Sequence, residues 1–487
     1  MDLPADLTDL DADTLSQAIH ARLLSCREVM RATLQRIHRV NPIYNAIVSL
    51  APDDVLLRQA DARDAELARG ESRGWLHGIP QAIKDTAHAA GFATTYGCAL
   101  LKDAVAMRDS AMVERMKAAG CIVIGKTNMP EFGLGSHTFN AVFGTTSNAW
   151  DPAVSAGGSS GGAAVAVAQR LLPVADGSDF MGSLRNPAAW NHIFGMRPSQ
   201  GRVPFWPTAD VWVGQLGTEG PMARTVQDLA RLLAIQSGHD PRAPLSIASS
   251  LGPVELPRDT MALRGLRIGW LGDLQGYLPM EDGLLATCDR ALQRLAAEGA
   301  IVEILQPPFD ATAVWQAWLV WRRALVAPRV AALLDRPGAR DIIKPEALWE
   351  HEQAQGTALM EFMQASEVRS TFYQQMLATF DRFDLLALPV TQTWPFPIGE
   401  RWPRAIAGRS MDTYHRWMEC TIYASFAGLP AISVPAGFHR NGRWPAGLQL
   451  LGRPQGDVAL LRAAAAYEVA AAELLRRRPD EVGESSS

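Results

Sequence analysis

A continuous apolar run, Cys121-Ile122-Val123-Ile124, stands between Gly120 and Gly125, directly after a helical pattern over residues 111–119. A strand with no polar face must be covered on both sides, which places it inside a helix-wrapped sheet. The same pairing recurs over residues 264–304, where strand Leu266–Trp270, a helix near 284–297 and strand Ile301–Ile304 follow one another. Strand patterns return at 384–390, 431–435 and 446–451. Helical spacing marks residues 11–40, where Leu15, Ala18 and Ile19 recur, then 51–70, most of 311–380 and the alanine-rich 457–474. Alternating helix and buried strand predict an α/β fold with a largely parallel core.

The chain has 487 residues, and length alone suggests about three domains, although large α/β enzymes run this long as one. No Pro/Gly/Ser-rich linker divides it and no repeat of solenoid period is present. We therefore expect one domain over 1–475. Within it, 1–70 is a helical N-terminal region and 240–380 a more variable, helix-rich region on the substrate side. The charged, serine-rich tail 476–487 is expected to be disordered. Apolar residues make up 48% and charged residues 20%, which excludes disordered, collagen-like and disulfide-scaffold classes. The formal net charge of −5 argues against a nucleic-acid partner. Cys26, Cys98, Cys121, Cys288 and Cys420 are scattered and odd in number, so they read as reduced thiols. The acidic N-terminus lacks a basic segment followed by an apolar one, and no window nears 18 uninterrupted apolar residues. The expectation is a cytoplasmic chain with no membrane partner.

Four stretches could carry chemistry. Gly120–Thr127 fits the P-loop pattern, but its four middle residues are the strand itself and Pro130 crowds the phosphate-facing helix, so the match reads as chance. Ser155-Ala156-Gly157-Gly158-Ser159-Ser160-Gly161-Gly162 precedes an Ala/Val-rich helix at 163–171. Its glycines allow close backbone approach, and a helix start offers free N–H donors; the plain alternative is a flexible turn. Asp179-Phe180-Met181-Gly182-Ser183 follows a short strand, an arrangement that presents a serine hydroxyl beside backbone N–H groups. A serine nucleophile needs a base. His88 and His192 lie near these stretches, so a Ser-His-Asp triad stays open. Lys84 ends the mostly apolar run Gly78–Asp85. Buried there, it would be neutral enough to act as a base; solvated there, it would not. No His, Cys and carboxylate cluster has metal-ligand spacing, so neither metal nor cofactor is expected.

Taken together and in order, these stretches resemble the amidase signature family. Gly78-Ile79-Pro80-Gln81-Ala82-Ile83-Lys84-Asp85 looks like its lysine motif, and Gly125-Lys126-Thr127-Asn128-Met129-Pro130-Glu131-Phe132 is similar to its next block. Gly157–Gly162 matches its serine-glycine loop, and Ser183 follows Ser159 by the family's spacing of 24 positions. Gly195–Ser199, Gly220–Thr225, Gly428–Pro435 and Gly447–Arg453 continue the likeness over roughly residues 10–475. The resemblance implies a central, mixed, mostly parallel β-sheet covered by helices on both faces. It also implies a Ser–Ser–Lys triad. Ser183 would be the nucleophile, Ser159 on a cis peptide the bridge, and neutral Lys84 the base. The N–H groups of Phe180, Met181, Gly182 and Ser183 would hold the oxyanion. Gly158, Ser160, Asp179 and Arg185 would support them.

The family's usual turn is Asp-x-Gly-Gly-Ser. Met181 here replaces a glycine, and Ser178 stands where threonine is common. Met181 weighs modestly against the glutaminase subunit of the tRNA-dependent amidotransferase, which keeps both glycines. Fourteen tryptophans suggest an apolar or aromatic pocket, with Met129, Trp206, Trp212 and Trp394 as candidates; core packing is the alternative for most of them. The expected substrate is a small-molecule hydrophobic or aromatic amide, with carbamates and esters as further possibilities, cleaved by a monomer or homodimer. A catalytically idle binding protein, a nucleotide-binding protein and an amidotransferase subunit remain the competing classes.

Overall fold

The computed structural model of the chain describes residues 3–480. Its strands are Ile47–Val48 (β1), Pro80–Lys84 (β2), Ile122–Thr127 (β3), Val174–Asp179 (β4), Phe194–Arg197 (β5), Thr218–Ala223 (β6), Arg267–Trp270 (β7), Ile301–Ile304 (β8), Leu385–Pro389 (β9), Ala431–Phe438 (β10) and Pro445–Leu451 (β11), besides two short two-residue hairpins. A small sheet has the order β1-β3-β2, and the large sheet is eight-stranded with the order β8-β7-β9-β11-β10-β5-β6-β4.

The large sheet is mixed. Its parallel pairs are β7–β8 and β7–β9, at one edge. From β9 through β11, β10, β5 and β6 to β4, every neighbouring pair runs antiparallel. The largely parallel core expected from the helix–strand alternation is thus confined to that edge, although β2 and β3 also pair in parallel. The reason lies in the connections. Strands β10 and β11 form a hairpin over residues 438–445, too short for the crossover that a parallel pair requires.

Both faces of the sheet are covered. Leu385 and Ala387 of β9 join one apolar cluster, while Leu386 and Leu388 join another, as the strand's period of two dictates. On the first face lie Cys288, Ala291, Leu292 and Leu295 of helix Leu284–Ala297, with Leu460, Leu461 and Ala464 of helix Asp457–Ala470. On the second lie Trp190, Trp315, Trp318 and Phe372 from helices Arg185–Trp190, Ala311–Leu334 and Leu359–Thr379. Each leucine fully buried in this way contributes about 1.5–3 kcal/mol.

The N-terminal helices form as their patterns require. Asp11 caps Ala12–His20, and Ser25 with Glu28 closes a capping box on Cys26–Tyr44, worth about 1 kcal/mol. Residues 120–127 are the strand β3 and the turn before it, and Lys126 Nζ donates to Ala87 O at 2.6 Å; no phosphate loop is formed there. All five cysteines are buried and free. Within the expected tail, Arg477 donates to Gly442 O at 2.6 Å and Arg478 to Asp9 Oδ1 at 3.1 Å. Residues 481–487 lie outside the described residues. Among the described residues, no helix is long and apolar enough to cross a membrane.

Candidate active site

Strands β2 and β4 and two loops converge on Lys84. It is the last residue of β2, and its backbone N–H donates to Asp176 of β4 at 3.2 Å, which seats the strand end. The Lys84 Nζ lies within hydrogen-bond distance of Ser159 Oγ at 2.7 Å, Ser160 Oγ at 2.8 Å and Ser178 Oγ at 2.9 Å. Burial favours the neutral amine and lowers its pKa to about 7, against the pull of Asp176, Asp179 and Glu219 toward the charged form. Near neutral pH a large share of the side chain is therefore unprotonated, against about one in a thousand for a free lysine.

Ser159 is held by its loop. The Gly158–Ser159 peptide is cis. Ser136 Oγ donates to Gly158 O at 2.5 Å and accepts from Gly158 N at 3.1 Å, while Thr138 Oγ1 donates to Gly157 O at 2.8 Å. The following helix, Gly161–Ala168, is buried along its whole length. Its first glycines permit that fit: a Cβ on Gly162 would stand 2.4 Å from Asn128 N, and one on Gly161 would stand 2.2 Å from Thr138 Oγ1. Ser160 N–H donates to Ser183 O at 3.2 Å and so ties this loop to the next.

Ser183 lies on the turn between β4 and helix Arg185–Trp190. Gly182 holds a positive φ of 86°, and a Cβ there would meet Thr421 Cγ2 at 2.7 Å. Met181 is not among the positive-φ residues, so an L-side chain is accommodated where the family usually has glycine. Asp179 anchors the turn. It accepts from Gly182 N at 2.8 Å, Arg185 Nε at 3.0 Å and Arg185 Nη2 at 3.0 Å. Burial alone would raise its carboxyl, but the Arg185 and Arg197 guanidinium groups outweigh that and hold it well below the usual carboxylate range. The Gly182 N–H is thus already engaged, a correction to the expectation that it faces an oxyanion.

Exposure falls from 8% at Ser183 to 3% at Ser159 and 0% at Lys84. Burial thus deepens from Ser183 through Ser159 to Lys84. The histidines do not join these residues. His192 Nε2 faces Leu474 O at 3.2 Å, beside Trp150 and Phe438, and burial lowers its pKa to about 4. Burial lowers the pKa of the His88 imidazole, and the charges that act on it are Lys126 and Arg108. Among the described residues, Lys84 is the titratable side chain within hydrogen-bond reach of Ser159.

Of the expected pocket residues, Met129 is buried beside Gly133, whose missing Cβ would lie 3.4 Å from Ser159 Oγ. The three tryptophans differ in their surroundings. Trp206 packs under Arg242 at 4.0 Å, Trp212 is 62% exposed, and Trp394 sits in a small separate cluster with Leu284 and Ala446. The indole that meets the turn is Trp318, 5.6 Å from the Phe180 ring. Sequence reading also passed over Ser136, Asp176 and Glu219. Asp176 left a signal, a carboxylate inside a short apolar strand; Glu219, opposite Ser178 on β6, left little. Burial raises Asp176 to about 6 and Glu219 to about 8. Among the described residues, no group of three or more His, Cys, Asp or Glu side chains is placed to hold a metal ion.

Comparison with known proteins gives this arrangement a context. The Amidase family profile matches residues 28–461. A glutamyl-tRNA(Gln) amidotransferase subunit from Acidothermus cellulolyticus is 35% identical, over 96% of this chain and 95% of its own length. A bacterial aryl acylamidase of the amidase signature family superposes with a TM-score of 0.87 at 30% identity, covering 96% of this chain and 97% of that one. The corresponding amidotransferase subunit from Thermotoga maritima superposes with a TM-score of 0.77 at 26% identity, covering 96% of each chain. With nearly its whole length matched in sequence and in fold, the chain belongs to the amidase signature family of amide-hydrolysing enzymes.

Proposed function

We propose that this protein hydrolyses the C–N bond of hydrophobic or aromatic amides through an acyl-enzyme on Ser183, with Lys84 and Ser159 as the proton relay. The observation that carries the reading is the buried Lys84 Nζ, 2.7 Å from Ser159 Oγ on a loop that Ser160 joins to Ser183. Neutral Lys84 takes a proton through Ser159 as Ser183 Oγ attacks the carbonyl carbon. The N–H groups of Phe180, Met181 and Ser183 receive the oxyanion, each such donor being worth about 3–4 kcal/mol in the transition state. Ser159 then gives the proton to the leaving nitrogen, and water, activated by the same relay, releases the acid. Phe180, partly exposed on the turn and backed by the buried Trp318, supports a preference for aryl or alkyl groups. Carbamates and esters are candidates for the same chemistry, and the working unit is a monomer or homodimer.

A panel of anilides, alkyl amides, aryl carbamates, esters, glutamine and small amides tests this, with Ser183→Ala as control. Turnover of an apolar class, lost in the variant, is the expected result. Preference for glutamine or acetamide would overturn the substrate assignment. The relatives named as amidotransferase subunits favour a second reading, a glutaminase subunit that works with a partner chain. Glutamine-dependent ammonia release that appears only on adding a copurifying partner would establish that reading instead.

A further inference from the structure

A buried ion pair reaches the two residues that precede Gly182. Arg322 lies on helix Ala311–Leu334 and is 2% exposed. Its Nε donates to Glu350 Oε1 at 2.6 Å, and its Nη2 donates to Tyr414 Oη at 2.6 Å. Tyr414 Oη in turn donates to the same Glu350 oxygen at 2.6 Å. That triangle fixes the plane of the guanidinium from three separate segments. The remaining arm, Nη1, points at Met181 and donates to its sulfur at 3.7 Å, while the guanidinium carbon lies 5.7 Å from the Phe180 ring centre. Trp318, one turn earlier on the same helix, holds the other side of Phe180 at 5.6 Å. A thioether is a weak acceptor, and burying a charged fork beside it is costly unless the rest of the fork is paired, as it is here.

The side chains of Phe180 and Met181 are the handles of the peptide units whose N–H groups face the reacting carbonyl in the proposed mechanism. A glycine at position 181 would offer no such handle. We propose that Arg322 is a positioning residue of the oxyanion turn, acting through Met181 and Phe180, and that Glu350 and Tyr414 aim it. The methionine that departs from the family's double glycine is then a functional part of the site. It ties the helix-rich region to the turn. Donor positioning is a transition-state effect, so its loss lowers the rate of bond formation at Ser183 and leaves initial binding nearly unchanged.

The inference rests on the acyl-enzyme reading, so its test needs a readout independent of the natural substrate. An alkyl fluorophosphonate serves: its phosphorus accepts Ser183 Oγ, fluoride leaves, and the phosphoryl oxygen draws on the same N–H donors. The limiting labelling rate and the half-saturating concentration are measured for the full chain and for Arg322→Gln, Tyr414→Phe, Met181→Leu and the double variant Met181→Leu/Arg322→Gln. Arg322→Gln should lower the limiting rate at least tenfold with half-saturation within twofold, and Tyr414→Phe at least threefold. Met181→Leu keeps the side-chain bulk and loses the sulfur, and should slow labelling several-fold. The double variant should be no slower than Arg322→Gln alone, because both act through one contact. If Arg322→Gln does not fold, Tyr414→Phe and Met181→Leu decide the matter, since neither leaves a charge unpaired. Unchanged limiting rates in those two, or losses that multiply in the double variant, would overturn the proposal. A wild-type chain that is never labelled at Ser183 would instead overturn the acyl-enzyme reading beneath it.

Discussion

Replacing Lys84 by methionine should abolish turnover and, at neutral pH, relieve the fold of a penalty. The side chain is wholly buried, and its pKa falls from an ordinary value near 10.5 to about 7. Between those two values the folded chain binds fewer protons than the unfolded chain, so the lysine costs stability. The cost is absent above 10.5, grows as pH falls, and is complete below about 7. At 1.36 kcal/mol per pH unit, the gap amounts to roughly 5 kcal/mol. Asp176 and Glu219, which attract the cation, return part of it when the lysine is removed. The lost hydrogen bonds to Ser159, Ser160 and Ser178 lower the stability of the variant by an amount that does not depend on pH. The expected signature is thus a slope. Measured by urea unfolding at several pH values, the stability of Lys84→Met relative to wild type should improve by about 2–5 kcal/mol between pH 10 and pH 7. In wild type, kcat/KM should rise with pH through a single inflection near the lysine's value of about 7. Parallel stability curves for the two proteins would refute the argument that burial holds this amine neutral. So would a rate profile flat from pH 6 to pH 8.

Two further substitutions probe the surroundings. Gly182→Ala forces a Cβ to within 2.7 Å of Thr421 Cγ2 at a φ of 86°, and should cost roughly 2–4 kcal/mol in unfolding measurements and lower kcat at least tenfold. An alanine variant as active as wild type would show that the turn relaxes freely. Glu219→Gln removes a carboxyl that burial raises from 4.5 to about 8; wild type carries a penalty that grows as pH rises through that window, so the glutamine variant should gain stability, by up to about a few kcal/mol, between pH 5 and pH 8. Stability curves that do not diverge would place the Glu219 carboxyl in contact with water.

Much of the chemistry was legible in order and spacing. Short-range rules govern what lies close along the chain. Gly157–Gly162 had to be a tight loop before a helix, Ser183 had to sit on a turn after a strand, and Cys121–Ile124 had to be buried. Local pattern marked Ser183 and left both a histidine and Lys84 open as its base; the set of Lys84, Ser159 and Ser183 followed from the resemblance to the amidase signature family. Direction and partnership could not be marked. Whether β9 pairs parallel or antiparallel with its neighbours depends on connections that run over the whole sheet. An indole in a sequence gives no sign of which cluster will bury it, so Trp394 and Trp318 read alike although only Trp318 meets Phe180. The charges around the site show the same division. Asp179 and Arg185 are six residues apart and could be paired from the motif, whereas Arg322 reaches Met181 across 141 positions and Tyr414 across 92. Loops and strands are written in neighbouring residues because backbone geometry is local. The lowered pKa of Lys84 and the contact of Arg322 with Met181 arise only when packing brings distant groups together and removes the water between them.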